Sequence, residues 1–413
     1  MAEAQTSLGG AEASAPEFVK RELRRAFLGF FTLCLVVPLV LTFYPIVRLV
    51  DPLEERRPPG PFPSPRLIPG EDGAFAAQLN NWFADRVGLR DLLIRAKNQI
   101  DYSLFHSSRK VYIGADGWLF LRGDVTPEVD AAAMAALEER YVTLARRLGD
   151  KGVQLVVVGY PDKSRVYPEK APPDMPHKPA GSNYDRLRHF LAAQPGLIFV
   201  DVQEVMQRHK AGADRDPDAT LFYKTDPHPT VLGQIPVVKE VIERIARAEG
   251  RSDIQWDEKF TFAKGHLSGT GARFMSLLSP PEENPPAILD GYEVGANAPD
   301  GDWLIPDPLM FERADEGIGR PFDMEFRSRP ELCRQRLPGT VLFGTSASDT
   351  WWLLGVHRYF CFSRRARNPI SRFKLFYDTM PADTKYLIYQ YSEIWLTELL
   401  DDPWFSNSTP QPR

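Results

Sequence analysis

One segment near the start of the chain constrains every fold that the rest can adopt. Residues 26–47 contain no charged side chain. About 20 apolar residues are enough for a helix to cross a bilayer, and core helices of soluble proteins are seldom apolar on every side over this length. We therefore predict a transmembrane helix at residues 26–48, with a short tail, residues 1–25, before it.

Charges beside this segment predict its orientation. Basic residues favour the cytoplasmic side of a membrane, and four of them precede the apolar segment, at Lys20, Arg21, Arg24 and Arg25. The tail is therefore predicted to be cytoplasmic. Because no small-residue cleavage site follows the segment, an uncleaved signal anchor is favoured over a cleaved signal peptide. Everything after residue 50 is then exported.

Composition narrows the classes of function for the exported part. With a net charge of −5, the chain lacks the basic surface that nucleic-acid binding requires. Its seven histidines show no metal-ligand spacing, so no metal site or cofactor is predicted. Prolines make residues 49–74 an extended linker, and residues 75–413 are predicted to form the functional domain.

Helical and strand patterns alternate through this domain. Continuous apolar runs at 153–159 and 197–202 are typical of buried parallel strands. The alternation predicts an α/β fold, with a mostly parallel sheet and helices on both faces. Residues 250–338 have weak periodicity and are interpreted as an insertion between sheet elements. Other predicted elements are helices within 75–105 (interrupted near Gly88), 127–148 (with Thr126 as its cap), 184–193 and 230–248, and strands within 111–121, 340–343 and 386–389.

Asp226 and His228 form the first candidate site. They stand two residues apart in a proline-rich segment between a predicted strand and a predicted helix, where α/β sheets place ligands. A carboxylate so close can orient an imidazole and stabilise its protonated form. The alternative is a capping aspartate beside a surface histidine.

Ser346 is the second candidate. It follows a predicted buried strand and opens a predicted helix through Trp351 and Tyr359, so its hydroxyl would be exposed at the sheet edge. Backbone N–H groups at a helix start can stabilise a developing oxyanion. The alternative is that Ser346 only caps this helix. A serine hydroxyl needs a base, and that base needs an orienting group; Ser346, His228 and Asp226 supply one residue for each role.

The third candidate follows the strongest predicted strand. Lys163 and Arg165 lie just past its carboxyl end, with Tyr160 beside them, and could contact a polar or anionic substrate. Such residues more often only border a cleft. Trp351 and Trp352 could stack on sugar rings, although core packing is favoured. Cys333 and Cys361 could form a disulfide or remain two buried thiols.

These motifs together resemble a known family. Gly114–Phe120 (GADGWLF), Pro161–Pro168 (PDKSRVYP), the Asp226–His228 pair, Gly344–Ser348 (GTSAS) and the tail 383–396 are similar, in this order, to segments of the SGNH-hydrolase-like O-acetyltransferases of bacterial exopolysaccharide systems, the AlgJ/AlgX-like proteins. The order of the motifs in this chain, with the Asp-x-His pair before the serine, resembles the permuted SGNH-like arrangement of that family. Pro227 and Pro229 depart from the family's usual pattern.

The resemblance implies a function. Ser346 would be the nucleophile, His228 the base and Asp226 the orienting residue, with the Ser346 N–H as one oxyanion donor. The chain would be a single-pass inner-membrane protein whose periplasmic domain transfers acetyl groups to an exported polysaccharide. A polytopic membrane O-acyltransferase would be its acetyl donor partner. Two alternatives remain open: a periplasmic carbohydrate esterase or deacetylase, and a non-catalytic glycan-binding scaffold of a synthesis complex.

Overall fold

The computed structural model describes most of the chain. The described residues are 17–44, 60–62, 72–125, 128–176, 181–213, 216, 218–292, 301–304, 324–367, 377–401 and 404. They divide into two compact units: Met1–Ile100 with Ser276–Leu278, and Asp101–Met275 with Ser279–Arg413.

The first unit contains the apolar segment, in helix α1 (Glu17–Phe43). Residues Phe18–Phe43 are long and apolar enough to cross a membrane, with a mean hydropathy of 2.4. The helix begins nine residues before the predicted start and includes the basic residues ahead of the apolar run, while 45–48 and most of the predicted linker lie outside the described residues. Helices α2 (Asp72–Arg86) and α3 (Arg90–Phe105) are separated near Gly88, as predicted.

The second unit is built on a seven-stranded sheet. The strands are β1 (Val111–Ile113), β2 (Leu119–Leu121), β3 (Gln154–Tyr160), β4 (Leu197–Asp201), β5 (Phe262–Lys264), β6 (Pro286–Ile288), β7 (Gly301–Leu304), β8 (Met324–Ser328), β9 (Gly339–Gly344), β10 (Phe362–Arg367) and β11 (Thr384–Ser392). The order in the seven-stranded sheet is β4-β3-β11-β9-β10-β8-β7. Its first five strands are parallel to one another, whereas β8 pairs antiparallel with both β10 and β7. Two small antiparallel pairs, β1–β2 and β5–β6, lie outside this sheet.

Helices cover both faces of this sheet, and the predicted α/β class is confirmed. Successive side chains of a strand point to opposite faces. Accordingly, Val156 and Val158 of β3 belong to one core cluster, whereas Leu155 and Val157 belong to the other. The remaining helices are α4 (Ala131–Gly149), α5 (Lys163–Val166), α6 (Asn183–Ala193), α7 (Val202–Ala213), α8 (Val231–Ala248), α9 (Thr270–Phe274) and α10 (Glu398–Asp401).

Residues 250–338, which the sequence pattern indicated to be an insertion, also contribute strands to the main sheet and a helix beside the candidate site. Their strands β7 and β8 extend the main sheet at its antiparallel edge, and α9 lies beside the candidate site. Strand β10 was also not predicted. β7, β8 and β10 are short and contain charged residues, so they lack the apolar runs that identified β3, β4, β9 and β11.

Cys333 and Cys361 are joined by a disulfide, which resolves the alternative left open by the sequence. The bridge links the segment before β9 to the start of β10, across a sequence separation of 28 residues. Closing a loop of this length removes conformational freedom from the unfolded chain.

We expect the double substitution Cys333→Ser and Cys361→Ser to lower the free energy of unfolding by about 2–4 kcal/mol. Chemical denaturation of the oxidised full chain and of the double variant measures the difference. Cys34 is a free cysteine, so Cys34→Ser provides a control that removes a thiol without opening the bridge. Equal unfolding midpoints for the double variant and the control would contradict the prediction.

Candidate active site

The candidate residues meet at one edge of the sheet. Strands β3, β9 and β11 are parallel neighbours, so their carboxyl ends lie side by side, and ligands in α/β sheets bind beyond such ends. A small cavity of about 80 Å³ opens there. Its lining includes Leu119–Leu121, Asp124, Tyr160–Lys163, Phe222, Pro227–Pro229, Thr345–Ala347 and Ser392–Trp395.

Ser346, His228 and Asp226 form a continuous hydrogen-bonded relay. The Ser346 Oγ lies 2.8 Å from His228 Nε2, and His228 Nδ1 lies 2.5 Å from Asp226 Oδ1. The serine and histidine are 118 residues apart in the chain, so only the fold brings them together. The alternatives of a capping aspartate and a surface histidine do not account for this alignment.

The relay is electrostatically poised to accept a proton at His228. Burial opposes a charged imidazole, but the hydrogen bond and negative charge of Asp226 outweigh that cost and raise the pKa of His228. Burial likewise opposes the Asp226 carboxylate, yet hydrogen bonds from His228 and from Thr270 hold the pKa of Asp226 well below its usual range. Asp226 therefore stays ionised and orients a basic imidazole whose side chain is 39% exposed.

A buried lysine holds the segment that carries Asp226 and His228. The Lys163 Nζ donates to the backbone carbonyls of Tyr223, Lys224 and Asp226, each at 3.1 Å. Because an ammonium has three N–H donors, these bonds use all of them. Burial lowers the pKa of Lys163 to about 8, against the raising effect of nearby carboxylates.

The same segment is braced by residues 250–338, which sequence analysis had left without a role. Thr270 N–H, in the first turn of α9, donates to Asp226 Oδ2 at 2.7 Å. The Glu283 carboxylate accepts from the backbone N–H groups of Lys224 and Thr225, both at 2.7 Å. The two partners of each such hydrogen bond are 44 to 59 residues apart in the chain. A single contact over that separation leaves no local pattern in the sequence.

Gly269 allows α9 to approach Asp226. A Cβ at this position would lie 2.6 Å from the Asp226 Cβ and 2.6 Å from the Thr225 carbonyl carbon, both well inside van der Waals contact. We expect Gly269→Ala to displace Asp226, and a shift of about 1 Å in a catalytic group can lower a rate by about 100-fold. Steady-state turnover of an activated acetyl ester tests this expectation.

Gly149→Ala is the matched control, since nothing lies within 4 Å of a Cβ built at Gly149. It should leave turnover unchanged. If Gly269→Ala were as active as Gly149→Ala, the close approach of α9 would not matter to the relay.

Ser346 lies in a tight turn rather than in the predicted α-helix. Residues Ser346–Ser348 form one 3₁₀ turn, and the predicted helix through Trp351 and Tyr359 is wrong. Ser348 Oγ donates back to the Thr345 carbonyl at 3.0 Å, a side-chain bond of the type that competes with helix, and Gly355 has a left-handed φ of 77°. The turn is nevertheless fixed, because Gln390 of β11 bonds both the N–H and the Oγ1 of Thr345.

The backbone N–H of Ser346 is oriented by this turn. Within the part of the chain that the structure describes, no acceptor bonds that N–H, whereas the neighbouring Thr345 N–H is taken by Gln390 at 3.0 Å. An uncommitted donor beside a serine hydroxyl is what an oxyanion site requires. Its assignment to that role remains a prediction.

Tyr160, Lys163 and Arg165 are placed differently from one another. Tyr160 lines the cavity, but its hydroxyl is buried and donates to Gln234 Oε1 at 2.5 Å. Arg165 does not line the cavity and pairs with Glu393 at 2.8 Å. With the Lys163 ammonium committed to carbonyls, these contacts favour positioning roles for all three, and their predicted substrate contacts stay predictions.

Two further expectations concern aromatic and metal-binding groups. Trp351 and Trp352 are 0% and 2% exposed, respectively, so they pack in the core and do not face a sugar. Among the described residues, no group of three or more His, Cys, Asp or Glu side chains is arranged to hold a metal ion.

Comparisons with known proteins agree with the motifs. Residues 111–302, a little under half of the chain, match the family model of the SGNH hydrolase-like domain of acetyltransferase AlgX. The chain is 30% identical over 146 residues to a probable alginate O-acetylase AlgJ of Pseudomonas aeruginosa, and 28% identical over 164 residues to one of Azotobacter vinelandii. These matches cover 34% and 39% of this chain and only 35% and 40% of the relatives. The predicted resemblance to the AlgJ/AlgX-like proteins is thereby confirmed.

A solved structure, the O-acetyltransferase domain of Pseudomonas putida AlgJ, is also similar to this chain. It shares 19% sequence identity with a TM-score of 0.44, and the match covers 72% of this chain and 97% of that domain.

Proposed function

From its AlgJ/AlgX-like resemblance and SGNH-like fold, we propose that this chain is an O-acetyltransferase acting on hydroxyls of an exported polysaccharide. The observation that carries the proposal is the relay from Ser346 Oγ through His228 to Asp226, at 2.8 and 2.5 Å. It lies in a cavity open to solvent at the carboxyl edge of the sheet.

The first half-reaction loads the serine. His228 Nε2 takes the hydroxyl proton as Ser346 Oγ attacks the acetyl carbonyl of the donor, and the Asp226 carboxylate stabilises the resulting imidazolium. The Ser346 N–H faces the developing oxyanion. When the intermediate collapses, His228 returns the proton to the leaving group, and Ser346 carries the acetyl ester.

The second half-reaction transfers the acetyl group from Ser346 to the sugar. His228 Nε2 now removes the proton of a sugar hydroxyl, whose oxygen attacks the acetyl carbonyl. Collapse transfers the acetyl group to the sugar, and the proton returns to Ser346 Oγ. A cavity of about 80 Å³ has room for a small acyl group, well below the roughly 300 Å³ of a pocket that encloses a larger ligand. The glycan would therefore lie across its mouth.

We place this reaction in the periplasm, with α1 as an inner-membrane anchor. The helix is long and apolar enough to span a membrane, basic residues precede its apolar run, and the disulfide suits an oxidising compartment. A polytopic membrane O-acyltransferase is the proposed acetyl donor partner. The family's permuted order of motifs remains part of this proposal.

The same relay supports a second candidate, a carbohydrate esterase or deacetylase, because 39% of the His228 side chain is exposed and water can reach it. The transferase passes the acetyl group to a sugar hydroxyl, whereas the esterase passes it to water. The full chain is given an activated acetyl ester with and without oligosaccharide, and acetylated sugar and free acetate are quantified. Acetylated sugar formed at the expense of acetate supports the transferase; acetate alone at every sugar concentration supports the esterase.

The pH dependence should follow the neutral form of His228. Only a neutral imidazole can accept the serine proton, and Asp226 raises the pKa of His228 above its ordinary value. We expect acetyl-enzyme formation to fall as the pH drops through that raised pKa, which lies above the usual value of about 6.5. Pre-steady-state bursts measured from pH 5 to 9 test this. An acid limb at or below the ordinary histidine pKa would contradict the arrangement.

A further inference from the structure

A buried glutamine connects three elements around the candidate site. Gln234 lies in the first turn of α8 and is 1% exposed, although glutamine is mostly found at protein surfaces. Its Oε1 accepts from the Trp351 Nε1–H at 2.9 Å and from the Tyr160 hydroxyl at 2.5 Å. Its Nε2 donates to the Ala347 carbonyl at 2.5 Å. None of the steps of acetyl transfer described above uses Gln234.

The partners of this side chain require one acceptor and one donor. An indole N–H can only donate, and a backbone carbonyl can only accept. A side chain that bonds both Trp351 and the Ala347 carbonyl must therefore offer an acceptor at one end and a donor at the other. An amide does so, whereas an aliphatic side chain offers neither and an ionised carboxylate offers no donor. The amide orientation is thereby fixed, and the Tyr160 hydroxyl has to be the donor to Oε1.

The helix that carries Gln234 starts three residues after His228. The Thr230 Oγ1 caps it by accepting from the Gly233 N–H at 3.2 Å, and the Thr230 N–H donates to the Leu221 carbonyl at 2.9 Å. A Cβ at Gly233 would lie 2.1 Å from the Leu221 carbonyl oxygen, so the first turn of α8 lies directly against that residue. His228 and Gln234 therefore belong to one closely held segment.

The turn that carries Ser346 is held on both sides. Gln390 of β11 bonds the N–H of Thr345, the residue before Ser346, at 3.0 Å. Gln234 bonds the carbonyl of Ala347, the residue after it. A serine side chain can rotate among staggered positions, so the distance from its hydroxyl to the base depends on where the backbone places it. The bond from Gln234 ties that placement to α8.

We propose that Gln234 is a positioning residue for acetyl transfer: its amide ties the helix that follows His228 to the turn that carries Ser346, and thereby sets the distance between base and nucleophile. This inference rests on the proposed function and adds a residue to it. Gln234 does not line the cavity, so its effect reaches the substrate through Ser346.

Gln234→Met keeps an unbranched side chain of similar length but removes the amide. In the full chain in detergent, with an activated acetyl ester as donor, we expect the rate constant for acetylation of Ser346 to fall about 100-fold, the cost of displacing a reacting group by about 1 Å. The ester concentration at half-maximal rate should change little, because Gln234 does not line the cavity. The acid limb of the pH profile should also stay in place, since the hydrogen bond between Asp226 and His228 is retained.

Gln234→Glu separates the hydrogen bonds from packing, because the two side chains are nearly isosteric. A protonated carboxyl group has an O–H donor and an acceptor and can replace the amide, whereas the ionised form has no donor for the Ala347 carbonyl. Burial favours the neutral form. The acetylation rate of this variant relative to the unsubstituted chain should therefore be highest at low pH and fall as the pH rises. The relative rate of Gln234→Met should not change with pH.

Val241→Ala is the matched control. Val241 is also fully buried in α8, seven residues beyond Gln234, so its truncation lowers stability without removing a hydrogen bond to the turn. Its unfolding midpoint should fall, while its acetylation rate should stay near that of the unsubstituted chain.

Two results would overturn the inference alone: a Gln234→Met variant that is acetylated at Ser346 as fast as Val241→Ala, or a relative rate for Gln234→Glu that does not change with pH. The second result decides the question by itself if Gln234→Met does not fold. Failure to form acetyl-Ser346 in the unsubstituted chain would instead overturn the proposed function, and the inference with it.

Discussion

Replacing Ser346 by alanine is expected to abolish formation of the acetyl-enzyme and to lower acetyl transfer by about 10⁴-fold or more. The substitution removes the hydroxyl that lies 2.8 Å from His228 Nε2. Ser346 is partly accessible at a turn after β9, and alanine is smaller than serine, so folding should be retained. Mass spectrometry of the full chain after incubation with an activated acetyl ester reads out the covalent intermediate.

Ser348→Ala is the matched control, because it removes a hydroxyl from the same 3₁₀ turn. Ser348 Oγ is buried and bonds the Thr345 carbonyl rather than His228, so its loss should cost about 1 kcal/mol of stability and leave the acetyl-enzyme intact. Acetylation that persists in Ser346→Ala, or polymer acetylation unchanged by that substitution, would remove Ser346 from the mechanism.

Sequence analysis could identify the relay residues because each stands next to a strong local pattern. The apolar run of β9 ends just before Thr345 and Ser346, and Pro227 and Pro229 exclude regular structure around His228. Parallel strands bring their carboxyl ends to one edge, so residues that follow them converge. What the sequence could not supply was the distance between them, which depends on how the loops close above the sheet.

The contacts that brace the segment carrying Asp226 and His228 could not be predicted from the sequence either. Thr270 and Glu283 act through single hydrogen bonds to a segment far away in the chain, and such bonds impose no periodicity. Substrate contact was one of two roles predicted for Lys163, from its place at the carboxyl end of a predicted strand; the other was to border a cleft. Here three carbonyls compensate its burial, and only the folded loop assembles them.

The helix predicted after Ser346 failed for a local reason. Apolar residues at Trp351, Leu354 and Tyr359 have a helix-like spacing. Instead they lie in a succession of turns, in which Trp351 and Leu354 are buried and Tyr359 is half-buried. Ser348 and the left-handed Gly355 favour those turns over continuous α-helix. The predicted oxyanion donor, the Ser346 N–H, therefore belongs to one tight turn and does not stand at the start of a full helix.

Asp226→Asn should have the second largest effect, a fall of about 10⁴-fold in the rate of acetyl-enzyme formation. That is the scale found when the orienting aspartate of a serine protease relay is replaced by its amide. The carboxylate oxygen Oδ1 accepts from His228 Nδ1 at 2.5 Å, and Oδ2 accepts from Thr270 N–H at 2.7 Å. An amide is nearly isosteric and can keep one of these bonds, but it cannot offer two acceptors.

The pH profile separates this cause from a loss of structure. Asp226 makes the largest contribution that raises the pKa of His228 against the opposing effect of burial, ahead of the charges of Asp349 and Asp124. The amide removes that contribution, so the residual acid limb of Asp226→Asn should move to lower pH. Disrupted folding would lower the rate without moving that limb. Ser348→Ala serves as the control here too: Ser348 Oγ bonds the Thr345 carbonyl and not Asp226 or His228, so both its rate and its acid limb should stay near those of the unsubstituted chain. An Asp226→Asn variant with an unmoved limb would show that the carboxylate does not govern the basicity of His228, and the relay would then lack the orienting charge on which serine activation depends.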